Sequence, residues 1–222
     1  MTALLRYQTA LLIRSHRWLA PLLFHGILLV IGVRPGEPVL DSFAFAAAVL
    51  LPTAAWLARI CVTNEPPAAR AVAAAAAGPG RAHLATLLTA LLASAALGTV
   101  CAALVAAVGA PRSADHRVAV PLGPATLAGL TAALVCALLG VAVGALCNRP
   151  LLRSTAWAVP ATVLAACLAL FTWGSPARGA LSRLTAGSLG GFVPVPLPHL
   201  ALAAVLAAGA AAVTCAMSGR RE

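Results

Sequence analysis

Residues 83–109 read HLATLLTALLASAALGTVCAALVAAVG, a run without Asp, Glu, Lys or Arg. About 20 such apolar residues are enough to cross the hydrocarbon layer of a bilayer as a helix. The apolar runs of this chain show no period-two alternation, which favours α-helices over barrel strands. The sequence therefore predicts an all-α polytopic membrane protein with six transmembrane helices. The five other runs lie at about 18–33, 42–62, 124–147, 152–173 and 197–217.

The overall composition leads to the same class. The chain has 222 residues, of which 62% are apolar and 9% are charged, and its mean hydropathy is +0.98. A water-soluble core of this size needs a larger share of charged residues to cover it. Six spans of about 20 residues use almost the whole chain, so residues 1–222 are predicted to form a single transmembrane domain.

All fifteen basic residues are arginine, and there is no lysine. This excludes the usual phosphate-binding P-loop and any Schiff-base lysine, since both need an amine at a fixed position. The chain is therefore expected to hydrolyse no ATP, to be no enzyme by itself and to need no cofactor. Its net charge of +10 does not indicate nucleic acid, because the arginines are scattered singly between apolar runs.

The arginines also predict the orientation of the spans. With the N-terminus inside, ten arginines fall on the inner side and five on the outer side, as the positive-inside rule describes. Both termini are thus predicted to be cytoplasmic. The inner set is Arg6, Arg14, Arg17, Arg59, Arg70, Arg81, Arg149, Arg153, Arg220 and Arg221, and the outer set is Arg34, Arg112, Arg117, Arg178 and Arg183.

The inner connection after the second run reads TNEPPAARAVAAAAAGPGRA, residues 63–82. Thr63 or Asn64 can cap a helix, Glu65 sits near its positive end, and the two prolines suit its first turn. The alanine run has high helix propensity, and Gly-Pro-Gly stops it. The pattern predicts a short cytoplasmic helix over 64–77, with a plain alanine-rich connector as the alternative.

Two other segments differ from simple connections. Residues 3–17 carry apolar residues at helical spacing before the first run, which predicts an interfacial helix lying on the membrane. Residues 174–196 read GSPARGALSRLTAGSLGGFVPVP, and this outer segment is longer than a helical hairpin needs.

Chemistry at membrane depth is sparse. None of the five Asp and Glu residues lies within a proposed span, which argues against a carboxylate proton relay, an acid pair or a carboxylate-rich metal site there. The six cysteines form no CxxC pair and are interpreted as small packing residues. Gly140 and Gly144 make a GxxxG pair in the fourth span, which predicts close helix packing.

Three residues are candidates for a pathway or a gate. His25 lies within the first span, where it either lines a polar pathway or hydrogen-bonds a neighbouring helix. The other histidines fall at span ends, where water is expected to solvate them. Pro52 and Pro160 lie inside the second and fifth spans and are expected to kink them or to loosen their backbone hydrogen bonding. Such kinks suit a gated pathway, but prolines are also ordinary in membrane helices.

These features together resemble the membrane subunit of a type-2 ATP-binding-cassette (ABC) transporter. The shared features are an amphipathic N-terminal stretch, six spans with both ends inside, an inner helix between spans two and three, and a long outer segment before span six. The likeness is to short actinobacterial permeases, in which a string like Asn64-Glu65-Pro66-Pro67, followed by an alanine run and glycines, occupies the inner loop.

The resemblance implies a role for each of these segments. The inner helix would be a coupling helix that docks into a separate ATPase subunit, with Asn64, Glu65 and Arg70 as polar contacts. Residues 3–17 would be the connecting helix, and residues 174–196 would be re-entrant. A second permease copy or a paralogue would complete the path, lined by spans one, two and five, in a bacterial plasma membrane.

The sequence thus favours the permease subunit of an ATP-driven exporter. A membrane scaffold or accessory subunit that moves no substrate has the same predicted topology and is the main alternative. A third class, an intramembrane enzyme, would require an activity that depends on His25 or Ser188. The string around Ser188, Gly187-Ser188-Leu189-Gly190-Gly191, lacks the order of a serine-nucleophile motif.

Overall fold

The computed structural model describes residues 1–151 and 154–221, and in these residues every regular element is an α-helix. The predicted all-α class is confirmed. Leu152 and Arg153, at the start of the predicted fifth span, lie outside the described residues, as do the side chains of Thr155, Arg220 and Arg221. The helices are α1 (Thr2–Ser15), α2 (Leu19–Gly32), α3 (Val39–Asn64), α4 (Pro67–Ala77), α5 (Pro79–Val108), α6 (Leu122–Leu146), α7 (Thr155–Phe171), α8 (Pro176–Gly190) and α9 (Leu197–Arg221).

Within the described residues, α3, α5, α6 and α9 are each long and apolar enough to cross a membrane. Two further pairs reach that length only together: α1 and α2 meet at 72°, and α7 and α8 meet at 44°. This part of the chain therefore contains four candidate spans, or up to six if each bent pair crosses as one unit. Alone, α2 has 14 residues and is about 21 Å long, which is shorter than the roughly 30 Å hydrocarbon layer.

α3 and α6 form the centre of the bundle. They approach closely because Gly140 and Gly144 of α6 present no side chain to α3. A β-carbon built on Gly140 would lie 2.4 Å from the carbonyl oxygen of Leu51, and one built on Gly144 would lie 2.5 Å from the β-carbon of Ala58. The close packing predicted from the GxxxG pair is confirmed.

The longer helices around this pair are much more exposed. In the most apolar windows of α5 and α9, 28% and 17% of the residues are buried, against 72% in α3 and in α6. α5 packs against α3, α6 and α9, while α9 packs against α5, α6 and α8. The outer faces of α5 and α9 are apolar, as faces in contact with lipid must be.

At one end of the bundle, α8 packs on the start of α3, and we call this the α8 end. Ser188 is fully buried there, and its hydroxyl donates a hydrogen bond of 2.7 Å to Oδ2 of Asp41. The backbone N–H of Ala114 donates to the Ser188 carbonyl at 2.8 Å. Asp41 lies in the first turn of α3, because this helix begins at Val39, slightly before the predicted start of the second span at about 42.

The opposite end, which we call the α4 end, gathers α1, α4, the start of α5 and the ends of α3, α6 and α9. A β-carbon built on Gly80 of α5 would lie 3.5 Å from the carbonyl oxygen of Cys215 in α9. In α1, Gln8 and Leu12 are buried against the bundle. The N-terminal helix and the C-terminal end of the described chain therefore share the end that carries α4.

Candidate functional site

The three predicted coupling residues lie together at the α4 end, around the turn that joins α3 to α4. Asn64 is the last residue of α3, Glu65 follows it, and Arg70 lies in the first turn of α4. The short helix between spans two and three is present, but it begins at Pro67, three residues after the predicted start at 64. It ends at Ala77, where the prediction placed its end.

The cap predicted for α4 is wrong. The residue before the helix is Pro66, and no side chain makes a capping hydrogen bond. Pro66 and Pro67 lack backbone N–H groups, so the first turn has fewer donors that a cap could satisfy. The amide of Asn64 is used elsewhere: its Nδ2 donates to the carbonyl oxygen of Leu11 in α1 at 3.1 Å.

Glu65 is buried, although the sequence places it in a polar inner loop. Only 6% of it is exposed, and its Oε2 accepts a hydrogen bond of 3.2 Å from Nε2 of Gln8 in α1. Its Oε1 is buried and accepts no hydrogen bond of ordinary geometry from the described residues, although the Tyr7 side chain interacts with the Glu65 carboxylate through its charge and through a side-chain hydrogen bond. Arg70 contacts this residue through the backbone, since its Nη2 donates to the Glu65 carbonyl oxygen at 3.0 Å. The turn before α4 is therefore fastened to α1.

Two adjoining cavities lie beside this turn, one of about 250 Å³ and one of about 300 Å³. Glu65, Arg70 and Arg149 line both, so we treat them together and call them the α4 cleft. The first is also lined by polar groups of His83, Thr86 and Ser218. The second is also lined by Arg17, Arg59, Asn64 and Asn148.

His83 lies at the start of α5, and its ring faces the α4 cleft. Its Nε2 is buried and has no hydrogen-bond partner within the described chain. Nδ1 of His199 in α9 is likewise buried without a partner. The expectation that water solvates the histidines at span ends is therefore wrong for these two nitrogens, because neighbouring helices cover them.

Asn148, which also lines the α4 cleft, links α3 to the end of α6. Nη1 of Arg59 donates to Oδ1 of Asn148 at 2.6 Å, and Nδ2 of Asn148 donates to the carbonyl oxygen of Gly144 at 2.7 Å. Asn148 is 1% exposed. Its amide therefore satisfies a carbonyl in the last turn of α6 and holds a guanidinium at the same time.

Replacing Asn148 by leucine is expected to lower the free energy of unfolding by about 2 kcal/mol, because a carbonyl and a charged donor both lose their partner. Reversible unfolding in mixed micelles, followed by circular dichroism, measures the change. Thr126→Val, at a half-buried position of α6 whose hydroxyl donates only to the Leu122 carbonyl oxygen of its own helix, is the control and should change it by less than about 0.5 kcal/mol. In an Arg59→Met background, Asn148→Leu should lower the free energy of unfolding by a smaller amount. An equal loss in both backgrounds would contradict the hydrogen bond between Arg59 and Asn148.

His25, a candidate pathway residue, is buried among helices. It is 1% exposed, its Nδ1 lies 3.2 Å from Oγ1 of Thr53, and its Nε2 lies 3.2 Å from Sγ of Cys101. The Thr53 hydroxyl already donates to the Val49 carbonyl oxygen at 2.9 Å. It can therefore only accept from His25, which places the ring proton on Nδ1 and leaves Nε2 to accept from the Cys101 thiol. Of the two predicted roles, this geometry is that of a hydrogen bond between helices.

The two candidate gating prolines lie in different surroundings. Pro52 adjoins Thr53 in α3, next to the His25 contact, and α3 continues through it as one helix. Pro160 lies inside α7 and is exposed. The structure thus associates Pro52 with His25 and places Pro160 on an outer surface.

Ser188 and His25 belong to separate places. Ser188 bonds to Asp41, and His25 bonds to Thr53, twelve residues further along the same helix. At 1.5 Å per residue these contacts are about 18 Å apart. The two residues named for an enzyme therefore do not form one constellation.

Three residues of the α4 end, Gln8, Asn148 and Arg149, were not singled out from the sequence. Gln8 carried the clearest signal, since it is an uncharged polar residue on the face of α1 that also carries Leu12. Asn148 and Arg149 directly follow an apolar run, a position where polar residues are ordinary. Only the fold shows that both line a cavity together with Glu65 and Arg70.

Among residues 1–151 and 154–221, no group of three His, Cys, Asp or Glu side chains is placed to hold a metal ion. No family model, curated protein or solved structure matches the chain. The site is therefore interpreted from its own residues and geometry.

Proposed function

We propose that this chain is the membrane permease subunit of an ATP-driven ABC exporter, working with a separate ATPase subunit and a second permease copy or paralogue. The observation that carries the proposal is α4, a short helix between two spanning helices at the end of the bundle where the predicted inner arginines gather. Its 11 residues include none that is buried. Among the helices of the described chain, it packs against α5 alone.

The exposed side of α4 supports docking to a partner. Ala68, Val72, Ala75 and Ala76 are exposed, and their spacing places them on one face of the helix. Val72 is 70% exposed. A small, smooth apolar face of this kind suits a groove on another protein, with nearby arginines at its edge.

The base of α4 is firmly held, which suits transmission of force. The hydrogen bonds of Glu65 to Gln8 and of Asn64 to Leu11 fasten the α3–α4 turn to α1. Movement of α4 would therefore be passed to α1 and α3 as well as to α5. ATP binding in the partner would favour one of two arrangements of the bundle, and α4 would transmit this preference from the ATPase to the spanning helices.

The proposal includes a specific topology in the bacterial plasma membrane. Both termini are cytoplasmic, α1 lies along the inner interface, and α2 and α7 are the remaining two of six spans. The left-handed backbone of His16 (φ 54°) and the 72° bend between α1 and α2 fit an interfacial helix that turns into a span. The 44° bend between α7 and α8 fits a re-entrant α8 that caps the exit.

The substrate path lies between two permease subunits under this proposal. The cavity between α3, α5 and α6, lined by Phe43, Gly98 and Gly129, has a volume of about 10 Å³, room for no more than one water molecule. In contrast, α2 and α7 carry exposed large apolar residues, such as Ile31 at 63% and Phe171 at 72%. These faces are available to a second copy and to substrate.

The same small cavity also favours the alternative, a membrane scaffold or accessory subunit without transport of its own. Reconstitution decides between the two. The purified chain alone should hydrolyse no ATP, and a protein with P-loop and ABC signature sequences should co-purify with it from native membranes. Vesicles that hold both should move a dye-labelled or radiolabelled substrate only with ATP. ATP-independent movement, or none across a panel of peptides, drugs and lipids with an active ATPase bound, would contradict the exporter and favour the scaffold.

A further inference from the structure

The α4 cleft has more basic groups than the bundle uses for its own packing. Its described lining includes Arg17, Arg59, Arg70 and Arg149 against the single carboxylate of Glu65. The one salt bridge within residues 1–151 and 154–221 joins Arg117 to Asp115, at the α8 end. A concave site lined by charges of one sign raises the local concentration of the opposite ion, so the cleft attracts anions.

Two buried atoms narrow the choice of anion. Oε1 of Glu65 and Nε2 of His83 are both buried and make no hydrogen bond of ordinary geometry in the described chain, and both residues line the 250 Å³ part of the cleft. Tyr7 is the one described side chain besides Gln8 that interacts with the Glu65 carboxylate. The carboxylate oxygen can only accept, so it favours a ligand atom that donates a hydrogen bond. An anion without a donor, such as sulfate, would leave Oε1 unsatisfied and would be repelled by it.

Arginine provides the complementary half of such a site. Its planar guanidinium matches the oxygens of phosphate through paired N–H donors. Arg17 and Arg149 are exposed, whereas Arg59 and Arg70 are half-buried, so the positive groups extend from the cleft wall to its rim. A ligand that joins a phosphate to a neighbouring hydroxyl can therefore meet the arginines and Glu65 at once.

We propose that the α4 cleft binds a phosphate ester that carries a hydroxyl group next to the phosphate, of the glycerophosphate type. The ester is either the head group of an anionic lipid at this membrane face or a free soluble phosphate ester. The phosphate lies against Arg70 and Arg149, and the hydroxyl donates to Glu65. This site is independent of the proposed exporter function, since it requires no ATPase partner.

Titration calorimetry on the full chain, in a zwitterionic detergent at low salt, tests the proposal. The soluble probes are glycerol 1-phosphate and sulfate, which has no hydrogen-bond donor, and the lipid probes are dioctanoyl phosphatidylglycerol and dioctanoyl phosphatidylcholine. Glycerol 1-phosphate should bind more tightly than sulfate, and the phosphatidylglycerol more tightly than the phosphatidylcholine. If glycerol 1-phosphate binds more tightly than the phosphatidylglycerol, the ligand of the cleft is a free phosphate ester. If the phosphatidylglycerol binds more tightly, the ligand is a lipid head group.

The paired variant Arg70→Gln/Arg149→Gln should weaken binding by about 25-fold, at about fivefold for each arginine. Arg34→Gln/Arg112→Gln is the matched control, because both residues are exposed, it removes the same charge and it lies at the α8 end. Equal binding by the two paired variants, or no preference for either hydroxyl-bearing probe, would overturn the proposal. Size-exclusion profiles and helical content verify that each variant is folded, and Arg17→Gln replaces the pair if it is not.

Glu65→Leu separates the hydroxyl contact from general attraction, because leucine has no oxygen that could accept the hydrogen bond. Removal of the carboxylate should tighten binding of sulfate, while the advantage of glycerol 1-phosphate over sulfate should disappear. If that advantage persists in Glu65→Leu, the assignment of the hydroxyl to Glu65 is wrong.

Discussion

Replacing Gly140 by alanine is expected to lower the free energy of unfolding by about 1–3 kcal/mol, and replacing it by leucine is expected to yield no folded protein. The added β-carbon would lie 2.4 Å from the carbonyl oxygen of Leu51 and 2.7 Å from the β-carbon of Ala54. Both are parts of α3 that no side-chain rotation can move aside. The two central helices would have to separate, and every contact along their crossing would loosen.

Gly209→Ala is the matched control for this prediction. Gly209 also lies inside a long apolar helix, α9, but a β-carbon built on it meets nothing within 4 Å. Because the helix propensity gained from Gly to Ala is similar at the two sites, the difference between the variants isolates the packing cost. Thermal unfolding of the purified chain in one detergent measures both. Equal midpoints would mean that α3 and α6 are not in close contact.

The comparison of Gly140 with Gly209 shows which structural features can be predicted from the sequence. The GxxxG spacing marks Gly140 as a packing residue, and the unbroken run at 83–109 predicts most of α5 (Pro79–Val108). Both signals are local and arise from the period and length of one helix. The run at 18–33 is also apolar but shorter, and it forms only the 14 residues of α2, which the left-handed residue His16 separates from α1.

The candidate site depends on contacts between distant segments, which a single sequence does not reveal. The sequence predicts that Glu65 is an exposed residue near the start of a helix. In the structure it is buried and accepts a hydrogen bond from Gln8, 57 positions earlier. Likewise, His25 is recognisable as a polar residue in a span, but its role follows from Thr53 and Cys101 on two other helices. The residue types indicated that these positions matter, and the fold determines what they contact.

The burial of Glu65 also changes how the exporter proposal is best tested. Reversing the charge of Glu65 or Arg70 would break contacts inside the chain as well as any contact with a partner. An effect on transport would then have two explanations. The exposed face of α4 avoids this difficulty, because Val72 is 70% exposed and α4 has no buried residue.

Val72→Asp is therefore expected to reduce ATP-driven transport at least about tenfold while the chain folds normally. An unpaired carboxylate in the middle of an apolar contact costs several kcal/mol in the complex, whereas the same substitution at an exposed position changes stability by less than about 0.5 kcal/mol. Vesicles that contain the variant and its ATPase measure transport. The amount of ATPase that co-purifies with the variant should fall in parallel.

The control is Val118→Asp, which makes the same chemical change at a residue that is 47% exposed and lies in the connection between α5 and α6, at the α8 end. It should leave both transport and ATPase binding unchanged, because a coupling contact exists only where α4 is. If transport and binding survive Val72→Asp, and also survive removal of the residues of α4, force does not enter through this helix and the exporter proposal loses its main support. If binding falls but purified pairs never transport, α4 is an assembly contact, as the scaffold alternative requires.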